Sequence, residues 1–499
     1  MEEVLRSLAL FHTEIALTAG LMLVVLVDAA GGAWRNAAVR ALSLATLATA
    51  LVFAVRLQVA GAAGEIFSGA LVVDPLGTFF KIVLVLASLL LLLAFTFRNA
   101  RELHGLGQGE LFALVLALTL ASLLLVAAND LVMLYLALET VSITSYVMVA
   151  YLKGDRMSNE ASLKYVLFGA VSTGSMVYGL SLLYGMTGTT SLPRIQEFLA
   201  GGIPDGNRFA VYAIALLVMA GFGFKIAAVP FHFWCPDVYQ GAATPVTALL
   251  SVAPKAAGFG IVLRFFYGTL AVPVTSAWDL TGVIDWQAVL VVVSVATMTL
   301  GNVAALTQNN MKRLLAYSSI AHAGYILMGV VALSDNGARG LLVYLFAYLF
   351  MNLGAFLVVT LVHLHDGTFD LRDYPGLYRR SPLLTIAMGF FLLSLVGIPP
   401  FVGFLGKLYV FGAVVALGPG YYWYAVVGAV NAAIAAFYYF RVLKVMVIDP
   451  GNEAKPALSL ALADRAWVLF FAAANILPLF FWSRIEEWTR GALVLYAGR

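Results

Sequence analysis

Residues 220–239 read AGFGFKIAAVPFHFWCPDVY, an apolar stretch that contains both Lys225 and Pro230. Proline has no backbone N–H, so Pro230 leaves the carbonyl of Ile226 without its helical donor. Backbone groups in that state are tolerated at membrane depth only inside protein or beside a water-filled cavity. An interrupted membrane helix that carries an ionisable residue is typical of an ion site near the bilayer midplane. The stretch therefore predicts a broken membrane helix with a lysine beside the break.

A second stretch, FFLLSLVGIPPFVGFLGKLYVF at 390–411, has the same features, with prolines at 399–400 ahead of Lys407. These prolines would free the carbonyls of Leu395 and Val396. An ordinary proline kink is the alternative reading for each stretch. Two kinks that each neighbour a central lysine favour an ion site.

The composition agrees with a membrane protein. Of the 499 residues, 62% are hydrophobic and 11% are charged, whereas an average soluble domain has about 25% charged residues. The net charge of +3 gives no broad basic field for nucleic acid. Cys235 is the only cysteine, so an internal disulfide, a thiolate zinc site and an iron–sulfur cluster are excluded from this chain.

Long apolar segments predict an all-α polytopic membrane protein, since a helix needs about 20 apolar residues to cross the hydrocarbon core. Fourteen segments qualify, and the seventh and twelfth are the broken ones. Their approximate limits are 9–29, 41–61, 75–97, 109–128, 130–151, 161–187, 208–238, 242–271, 286–305, 313–333, 339–363, 382–416, 421–447 and 463–483.

The two breaks lie five spans apart, which predicts two five-helix repeats formed by helices 4–8 and helices 9–13. Because five is odd, the second repeat is expected to be inverted in the membrane, as in many transporters. The chain then divides into four parts: a three-helix segment at 1–108, the first antiporter-like repeat at 109–271, the second repeat at 286–447, and helix 14 with the tail at 448–499.

Basic residues in the connections predict the orientation. The odd-numbered connections contain sixteen lysines and arginines, and the even-numbered connections with the termini contain nine. The richer side is expected to be cytoplasmic, so both termini face the periplasm. The leader MEEVLRS has two acids and one base, which differs from the basic leader of a secretory signal. We therefore expect helix 1 to be retained.

Four lysines (Lys81, Lys225, Lys255 and Lys407) lie inside apolar spans, and Glu139 lies near the middle of span 5. A charge at the bilayer centre costs at least about 2.5–3.5 kcal/mol and is a functional candidate by default. Lys81 is near a span end and could extend to the interface. A structural ion pair would explain one lysine with Glu139. Three central lysines and one glutamate leave at least one lysine able to lose a proton on burial, which indicates a proton carrier.

The segment FKIAAVPFHFWCPDVYQGAATPVTALLSVAPKAAGF at 224–259 resembles the signature of the antiporter-like subunits of respiratory NADH–quinone oxidoreductase (complex I). The Mrp cation/proton antiporter subunits are relatives, and the resemblance extends over the whole chain. It implies proton-transfer roles for Glu139 of helix 5, Lys225 of helix 7, Lys255 of helix 8 and Lys407 of helix 12, with Lys164 of helix 6 as an accessory residue.

Within that family, Lys407 differs from the glutamate that subunit M typically has. Subunit L typically has lysine there, together with a long C-terminal lateral helix. About sixteen residues follow span 14 here, so we expect no such helix and favour the remaining antiporter-like branch. Gln240 stands where an acidic residue is common in the family, so the chain departs from the family pattern at this position.

Span 10 contains a polar group of residues, KRLLAYSSIAHAGYILMGV, with His322 near its centre. Histidine changes its charge near neutral pH and is an obvious proton shuttle. The alternative is a histidine that only satisfies hydrogen bonds. The first interpretation makes His322 an accessory member of a path from Lys255 to Lys407.

The resemblance implies a proton-translocating membrane-arm subunit of a translocase in the bacterial cell inner membrane. Glu139 would hold the proton on Lys225 until their charges separate, Lys164 would tune Glu139, and Lys407 would release the proton outward. NADH, FMN, iron–sulfur clusters and quinone would be bound by other subunits, with no cofactor in this chain. The implied partners are subunit M, small membrane subunits such as K and J, and lipids, without nucleic acid. Two alternatives remain, an Mrp-type cation/proton antiporter subunit and a non-transporting scaffold.

Overall fold

The computed structural model describes residues 2–32, 34–95, 108–202, 208–274, 277–280, 285–451 and 455–493. The charge count of the connections includes Arg98, Arg101 and Arg499, which lie outside these residues. The predicted end of span 3 at 96–97 also lies outside them. The described part is helical almost throughout, with two short β-hairpins.

The N-terminal segment consists of four helices and one antiparallel hairpin. They are α1 (Glu2–Leu10), α2 (His12–Ala30), α3 (Arg35–Val59), β1 (Gly64–Ile66), β2 (Leu71–Val73) and α4 (Pro75–Ala94). The start of α4 is fixed by local chemistry, because the Asp74 side chain accepts from Gly77 N at 2.7 Å and proline occupies the first helical position. Both features are preferred at a helix N-terminus.

The next part has seven helices, a π-helical turn at Phe266–Leu270 and a second antiparallel hairpin. Its elements are α5 (Gln108–Ala127), α6 (Leu131–Val149), α7 (Arg156–Thr187), α8 (Leu192–Ala200), α9 (Arg208–Ile226), α10 (Trp234–Gly241), α11 (Thr244–Phe265), β3 (Ala271–Val274) and β4 (Ala277–Leu280). Every residue of α11 is buried, which places this helix at the centre of the fold.

The remaining part has nine helices and three short 3₁₀ turns, at Leu371–Asp373, Pro419–Tyr421 and Leu477–Phe481. The helices are α12 (Trp286–Ala305), α13 (Met311–Val331), α14 (Asp335–Asp366), α15 (Leu377–Arg380), α16 (Pro382–Val396), α17 (Val402–Val415), α18 (Tyr422–Val447), α19 (Leu462–Ala474) and α20 (Trp482–Gly491). Helices α13 and α14 are buried along almost their whole length and form the core with α4 and α11.

Twelve helices of the described residues are long and apolar enough to cross a membrane. One further pair, Leu462–Ala474 with Leu477–Gly491, qualifies together and is bent by 46°. Predicted span 12 is present as the two shorter apolar helices α16 and α17. The all-helical polytopic class is confirmed, and the count of fourteen spans stays a prediction.

Both predicted breaks are present. Helix α9 ends at Ile226, and α10 begins at Trp234. Helix α16 ends at Val396, and α17 begins at Val402.

The two breaks also share their backbone geometry. The first residue after each ending helix has a left-handed conformation, with φ of 58° at Ala227 and 87° at Gly397. A cis peptide bond follows three residues later, at Val229–Pro230 and at Pro399–Pro400. The shared left-handed residue supports the prediction that the two breaks occupy equivalent places in two repeats.

The helices ahead of the breaks match as well. Helices α7 and α14 are both 32 residues long and both end at a left-handed glycine, Gly188 with φ of 68° and Gly367 with φ of 72°. After each glycine the chain returns to the start of the preceding long helix. There Leu192 N donates to Asn129 O at 3.0 Å and Leu371 N donates to Asn309 O at 2.7 Å. The division into two five-helix repeats remains a prediction, and these contacts support it.

Candidate functional site

Lys225 is the penultimate residue of α9, directly before the break, and its side chain is 2% exposed. Its Nζ donates to Ser142 Oγ of α6 at 3.1 Å. Glycine at position 258 lets α11 approach this point, because a Cβ there would lie 3.2 Å from Lys225 Cγ. The break thus brings the ammonium of Lys225 onto the face of α6 that carries the predicted glutamate.

Glu139 lies one helical turn before Ser142 and is half-buried. The described residues contain no ion pair within 4.0 Å between its carboxylate and Lys225. The carboxylate nevertheless lies within Coulombic range of Lys225, and also of Tyr146. The predicted partners are therefore neighbours across the α6–α9 contact, with Ser142 as the direct acceptor for the lysine.

Lys255 occupies the middle of α11 and is 3% exposed. Its Nζ donates to Ser319 Oγ of α13 at 2.5 Å and lies 5.8 Å from the centre of the Tyr239 ring. Ser251, one turn earlier on α11, accepts from Asn352 Nδ2 of α14 at 2.6 Å. Polar contacts thus join the central helix to both long helices of the second predicted repeat.

His322 lies on α13 one turn beyond Ser319 and is buried between two tyrosine hydroxyls. Its Nδ1 is 2.8 Å from Tyr344 OH, and its Nε2 is 3.3 Å from Tyr439 OH. The Tyr439 hydroxyl also hydrogen-bonds to Ser318 Oγ. These contacts form a polar cluster around His322, and its accessory role between the two lysines stays a prediction.

Lys407 lies on α17, just after the second break, and is 5% exposed. Its Nζ donates to Leu395 O at 3.1 Å and to Val396 O at 2.7 Å, and it lies 4.6 Å from the centre of the Tyr325 ring. The two carbonyls that the prolines were expected to free are thus the two that bind this ammonium.

Lys164 makes its direct ion pairs with residues other than Glu139, and its accessory role stays a prediction. Its Nζ contacts Asp237 at 2.8 Å and Glu160 at 2.9 Å, and no ion pair with Glu139 is found among the described residues. Asp237 also contacts Arg313 NH1 at 2.5 Å. Lys164 therefore belongs to a charge cluster that joins α7, α10 and α13.

Gln240 is part of the same cluster, since its Oε1 accepts from Arg313 NH1 at 3.0 Å. The amide oxygen of Gln240 thus occupies the position beside the Arg313 guanidinium where a carboxylate oxygen could also bind. Sequence reasoning missed Asp237 and Arg313, although Asp237 lies within the motif that carries the family resemblance.

Lys81 was expected to extend to the interface, but it is 1% exposed and contacts Glu14 Oε1 at 2.6 Å. Arg264 makes a comparable buried contact, donating to both oxygens of Asp74 at 2.8 Å. The Lys81–Glu14 pair joins two helices of the N-terminal segment, and the Arg264–Asp74 pair links that segment to α11. The carboxylates of these two pairs bind Lys81 and Arg264, whereas none of the three central lysines has a carboxylate within 4.0 Å in the described part of the chain.

No group of three or more His, Cys, Asp or Glu side chains that could hold a metal ion occurs in the described part of the chain. The chemically distinctive feature is the series Lys225, Lys255 and Lys407, each with neutral acceptors on a neighbouring helix or across a break.

A polytopic helical protein with two broken helices, each carrying a buried lysine, has the architecture of the antiporter-like class of membrane proteins. Residues 128–434 match the NADH:quinone oxidoreductase/Mrp antiporter transmembrane family. The chain belongs to this family.

Sequence relatives narrow the assignment to one branch. NADH-quinone oxidoreductase subunit N of Anaeromyxobacter sp. is 43% identical, with 100% of this chain and 99% of that protein covered. The subunit N of Chlorobium chlorochromatii is 44% identical over 90% of this chain and 87% of that protein. The chain is thus a member of the subunit N group, as the sequence predicts.

Solved structures agree with this fold. A chain of respiratory complex I from Thermus thermophilus is 30% identical, with a TM-score of 0.77 and coverage of 95% of this chain and 98% of that chain. A chain of the Mrp complex from Dietzia sp. has a TM-score of 0.84 at 20% identity, covering 98% of each chain. The second match shows the common fold alone.

Proposed function

We propose that this chain carries protons across the membrane as a subunit of NADH–quinone oxidoreductase. The carriers are Lys225, Lys255 and Lys407, with Glu139 as the acidic partner of the first. The observation that supports this most strongly is the kind of acceptor that each ammonium has: a serine hydroxyl for the first two and main-chain carbonyls for the third.

Neutral acceptors matter because they stabilise an ammonium group without preventing the loss of its proton. A buried lysine paired directly with a carboxylate, such as Lys81 with Glu14, resists deprotonation because loss of its proton leaves the carboxylate charge buried alone. A serine or a carbonyl carries no net charge, so the proton can leave without that penalty. The three central lysines have the chemistry of carriers, and Lys81 has that of a structural charge.

The cluster on α13 offers groups between the second and third carriers. Ser319 accepts from Lys255 at 2.5 Å. His322, one turn further, bonds to Tyr344 and Tyr439, and it lies within Coulombic range of both Lys255 and Lys407. Hydroxyl and imidazole groups can donate and accept in the same position. His322 therefore acts as an intermediate in transfer from Lys255 to Lys407.

Two buried tyrosine hydroxyls, those of Tyr239 and Tyr348, face the Ser319 hydroxyl that accepts from Lys255. The Tyr239 ring centre is 5.8 Å from Lys255 Nζ, and the Tyr348 ring centre is 5.2 Å from that of His322. A hydroxyl can both donate and accept a hydrogen bond. These two tyrosines therefore supply further exchangeable groups between Lys255 and His322.

The proposal includes the setting of the subunit. The relatives are named as subunits of an oxidoreductase, so NADH and quinone chemistry is assigned to partner subunits that hold the flavin and iron–sulfur clusters. Subunit M and small membrane subunits such as K and J are the proposed neighbours. The proposed location is the bacterial inner membrane with both termini on the outer side, from the basic residues of the connections.

An Mrp-type cation/proton antiporter subunit is the second candidate, because the family and the fold include the Mrp complex. The sequence relatives at 41–44% identity are named as quinone oxidoreductase subunits, which favours the first candidate. Purification in mild detergent separates the two: redox subunits accompany the chain in one case and only antiporter subunits in the other.

The test of the carrier role is Lys225→Ala in the complete complex, reconstituted in vesicles. NADH-driven acidification should fall by about tenfold or more relative to electron transfer, because a neutral, short side chain cannot relay a proton. Lys153→Ala is the control, since Lys153 is an exposed lysine paired with Glu110. Unaltered acidification by fully assembled Lys225→Ala complex would refute the role.

A further inference from the structure

The three carrier lysines differ in how completely their ammonium groups are surrounded. An ammonium has three N–H donors. Lys225 Nζ has one hydrogen bond, to Ser142, and Lys255 Nζ has one, to Ser319, with a ring at 5.8 Å. Lys407 Nζ has two, to the carbonyls of Leu395 and Val396, and a ring centre at 4.6 Å. The contacts to the ammonium thus become more complete along the proposed path.

The ring at Lys407 belongs to Tyr325, which is 1% exposed. A cation within about 6 Å of an aromatic ring centre is attracted by the electrons of the ring face, most strongly where water is excluded. Two N–H groups of Lys407 are used by the carbonyls, so the ring is the partner available to the third. Tyr325 is therefore a direct contact of the proposed terminal carrier.

The ring of Tyr325 is held at its far end. Its hydroxyl accepts from Asn302 Nδ2 of α12 at 2.9 Å, and Asn302 is fully buried. The same amide group donates to Asn431 O of α18 at 3.1 Å, and its Oδ1 accepts from Tyr438 OH at 3.1 Å. Every polar atom of the Asn302 side chain thus has a partner, and the side chain has little freedom to turn.

Two neighbouring rings also restrict the position of the Tyr325 ring. Phe411, one turn after Lys407 on α17, has its ring centre 6.3 Å from that of Tyr325, and His322 has its ring centre 5.9 Å away. The ring is thus confined between α17 and its own helix, with the hydroxyl fixed on α12. This arrangement keeps the ring face directed at one ammonium.

From these contacts we infer that Tyr325 is a further residue of the proton path, whose ring stabilises the ammonium of Lys407, and that Asn302 is the positioning residue that fixes the ring. The inference rests on the proposed carrier role of Lys407. It specifies how the proposed terminal carrier holds its proton before release: through two main-chain carbonyls and one aromatic ring.

The groups that contact or face Lys407 among the described residues come from α13, α14 and the break. From α13 they are Tyr325 and His322, and from the break they are the carbonyls of Leu395 and Val396. Tyr344 of α14 packs against glycine 406, next to Lys407. A substitution that removes the Tyr325 ring therefore removes a direct contact of the Lys407 ammonium.

The test compares Tyr325→Leu with Tyr325→Phe in the complete complex in vesicles. Leucine removes the ring, so acidification relative to electron transfer should fall by about tenfold, and the pH profile of acidification should shift. Phenylalanine keeps the ring and loses only the hydroxyl, so its acidification should stay within about twofold of the unaltered complex with a smaller shift of the profile.

Tyr424 supplies a matched control, because it is buried and its hydroxyl donates to Ser294 Oγ at 2.6 Å in the same contact between α12 and α18. No carrier lysine contacts Tyr424 among the described residues. Tyr424→Leu should reduce stability and leave the pH profile in place. An equal change of profile in Tyr424→Leu and Tyr325→Leu, or no change in Tyr325→Leu, would overturn the inference.

A second comparison applies where Tyr325→Leu fails to assemble. If Asn302 acts through the Tyr325 hydroxyl, Asn302→Ala should shift the pH profile in the unaltered background and add nothing in the Tyr325→Phe background. Additive shifts would refute the positioning role. Full acidification by a Lys407→Ala complex would instead refute the carrier role itself, so the two failures can be told apart.

Discussion

Lys407 Nζ donates a hydrogen bond of 2.7 Å to the main-chain carbonyl of Val396, the residue at which the first half of the broken helix ends. The side chain of one half thus binds the exposed end of the other. The backbone carbonyls at a helix C-terminus carry partial negative charge and favour a cation. The break therefore supplies the carbonyls that stabilise a buried lysine. The same interruption that ends the first half of the helix also creates the binding site for the ammonium.

Gly397→Ala should disturb that site. Gly397 has φ of 87°, and a Cβ there would lie 2.7 Å from Lys407 Cδ. A left-handed non-glycine residue costs about 1–3 kcal/mol, and the clash would push Lys407 from its carbonyls. We expect lower thermal stability and at least severalfold slower acidification. Gly412→Ala in α17, the helix that carries Lys407, is the control, since nothing lies within 4 Å of its Cβ position. Similar losses in both variants would contradict the explanation.

Lys81→Met should destabilise the complex without a specific effect on proton transfer. Removing one partner of a buried ion pair costs about 3–5 kcal/mol because the other charge is left alone. The double variant Lys81→Met with Glu14→Leu should recover most of the stability. Thermal unfolding of the purified complex measures the first effect, and acidification per assembled complex measures the second. A stable Lys81→Met complex that fails to acidify vesicles would place Lys81 among the carriers.

Ser319→Ala should slow transfer through Lys255. A hydrogen bond to a charged group contributes about 1.5–3 kcal/mol, which corresponds to about tenfold or more in rate if the bond acts in the rate-limiting step. Ser122→Ala is the comparison, because Ser122 is buried but donates only to Leu118 O of its own helix. The measurement is the initial rate of acidification at equal electron transfer. Indistinguishable rates in the two variants would remove Ser319 from the path.

Gln240→Glu should be tolerated, with assembly and acidification close to those of the unaltered complex. Arg313 already faces this position and donates to the amide at 3.0 Å, so a carboxylate would find its cation in place. Gln240→Lys should impair assembly, because it adds a third cation beside Lys164 and Arg313, whose charges Asp237 and Glu160 already balance. The measurement is the amount of assembled complex of each variant on native gels. Equal assembly of the two variants would argue against a charge cluster that joins the two predicted repeats.

The sequence was sufficient to predict the helical class, both breaks and their lysines, because each depends on local chemistry. Hydropathy over about 20 residues defines a span, and a proline acts on the carbonyl four residues earlier. The same reasoning identified the carbonyls of Leu395 and Val396, which Lys407 binds.

Which carboxylate pairs with which lysine was less predictable from the sequence. Glu14 and Lys81 are 67 residues apart, and Lys164 and Asp237 are 73 residues apart. Which carboxylate meets which lysine depends on the helices that pack together, and that information is not local. Lys81 was therefore expected at the interface, and the carboxylates that pair with Lys164 were not predicted. The anchoring of Tyr325 by Asn302 went unnoticed for the same reason, since no motif links an asparagine of one helix to a tyrosine of the next.

The neutral acceptors of the three lysines have an energetic consequence for the membrane as a whole. Among the described residues the acceptors at Ser142, Ser319 and Val396 are neutral, and under the proposed function no anion moves with the proton, so each transfer carries one full elementary charge. Each crossing then does electrical work of about 2.3 kcal/mol per 100 mV of membrane potential. Current through this subunit should therefore report proton number directly, and the driving reaction must supply more energy as the membrane becomes more polarised.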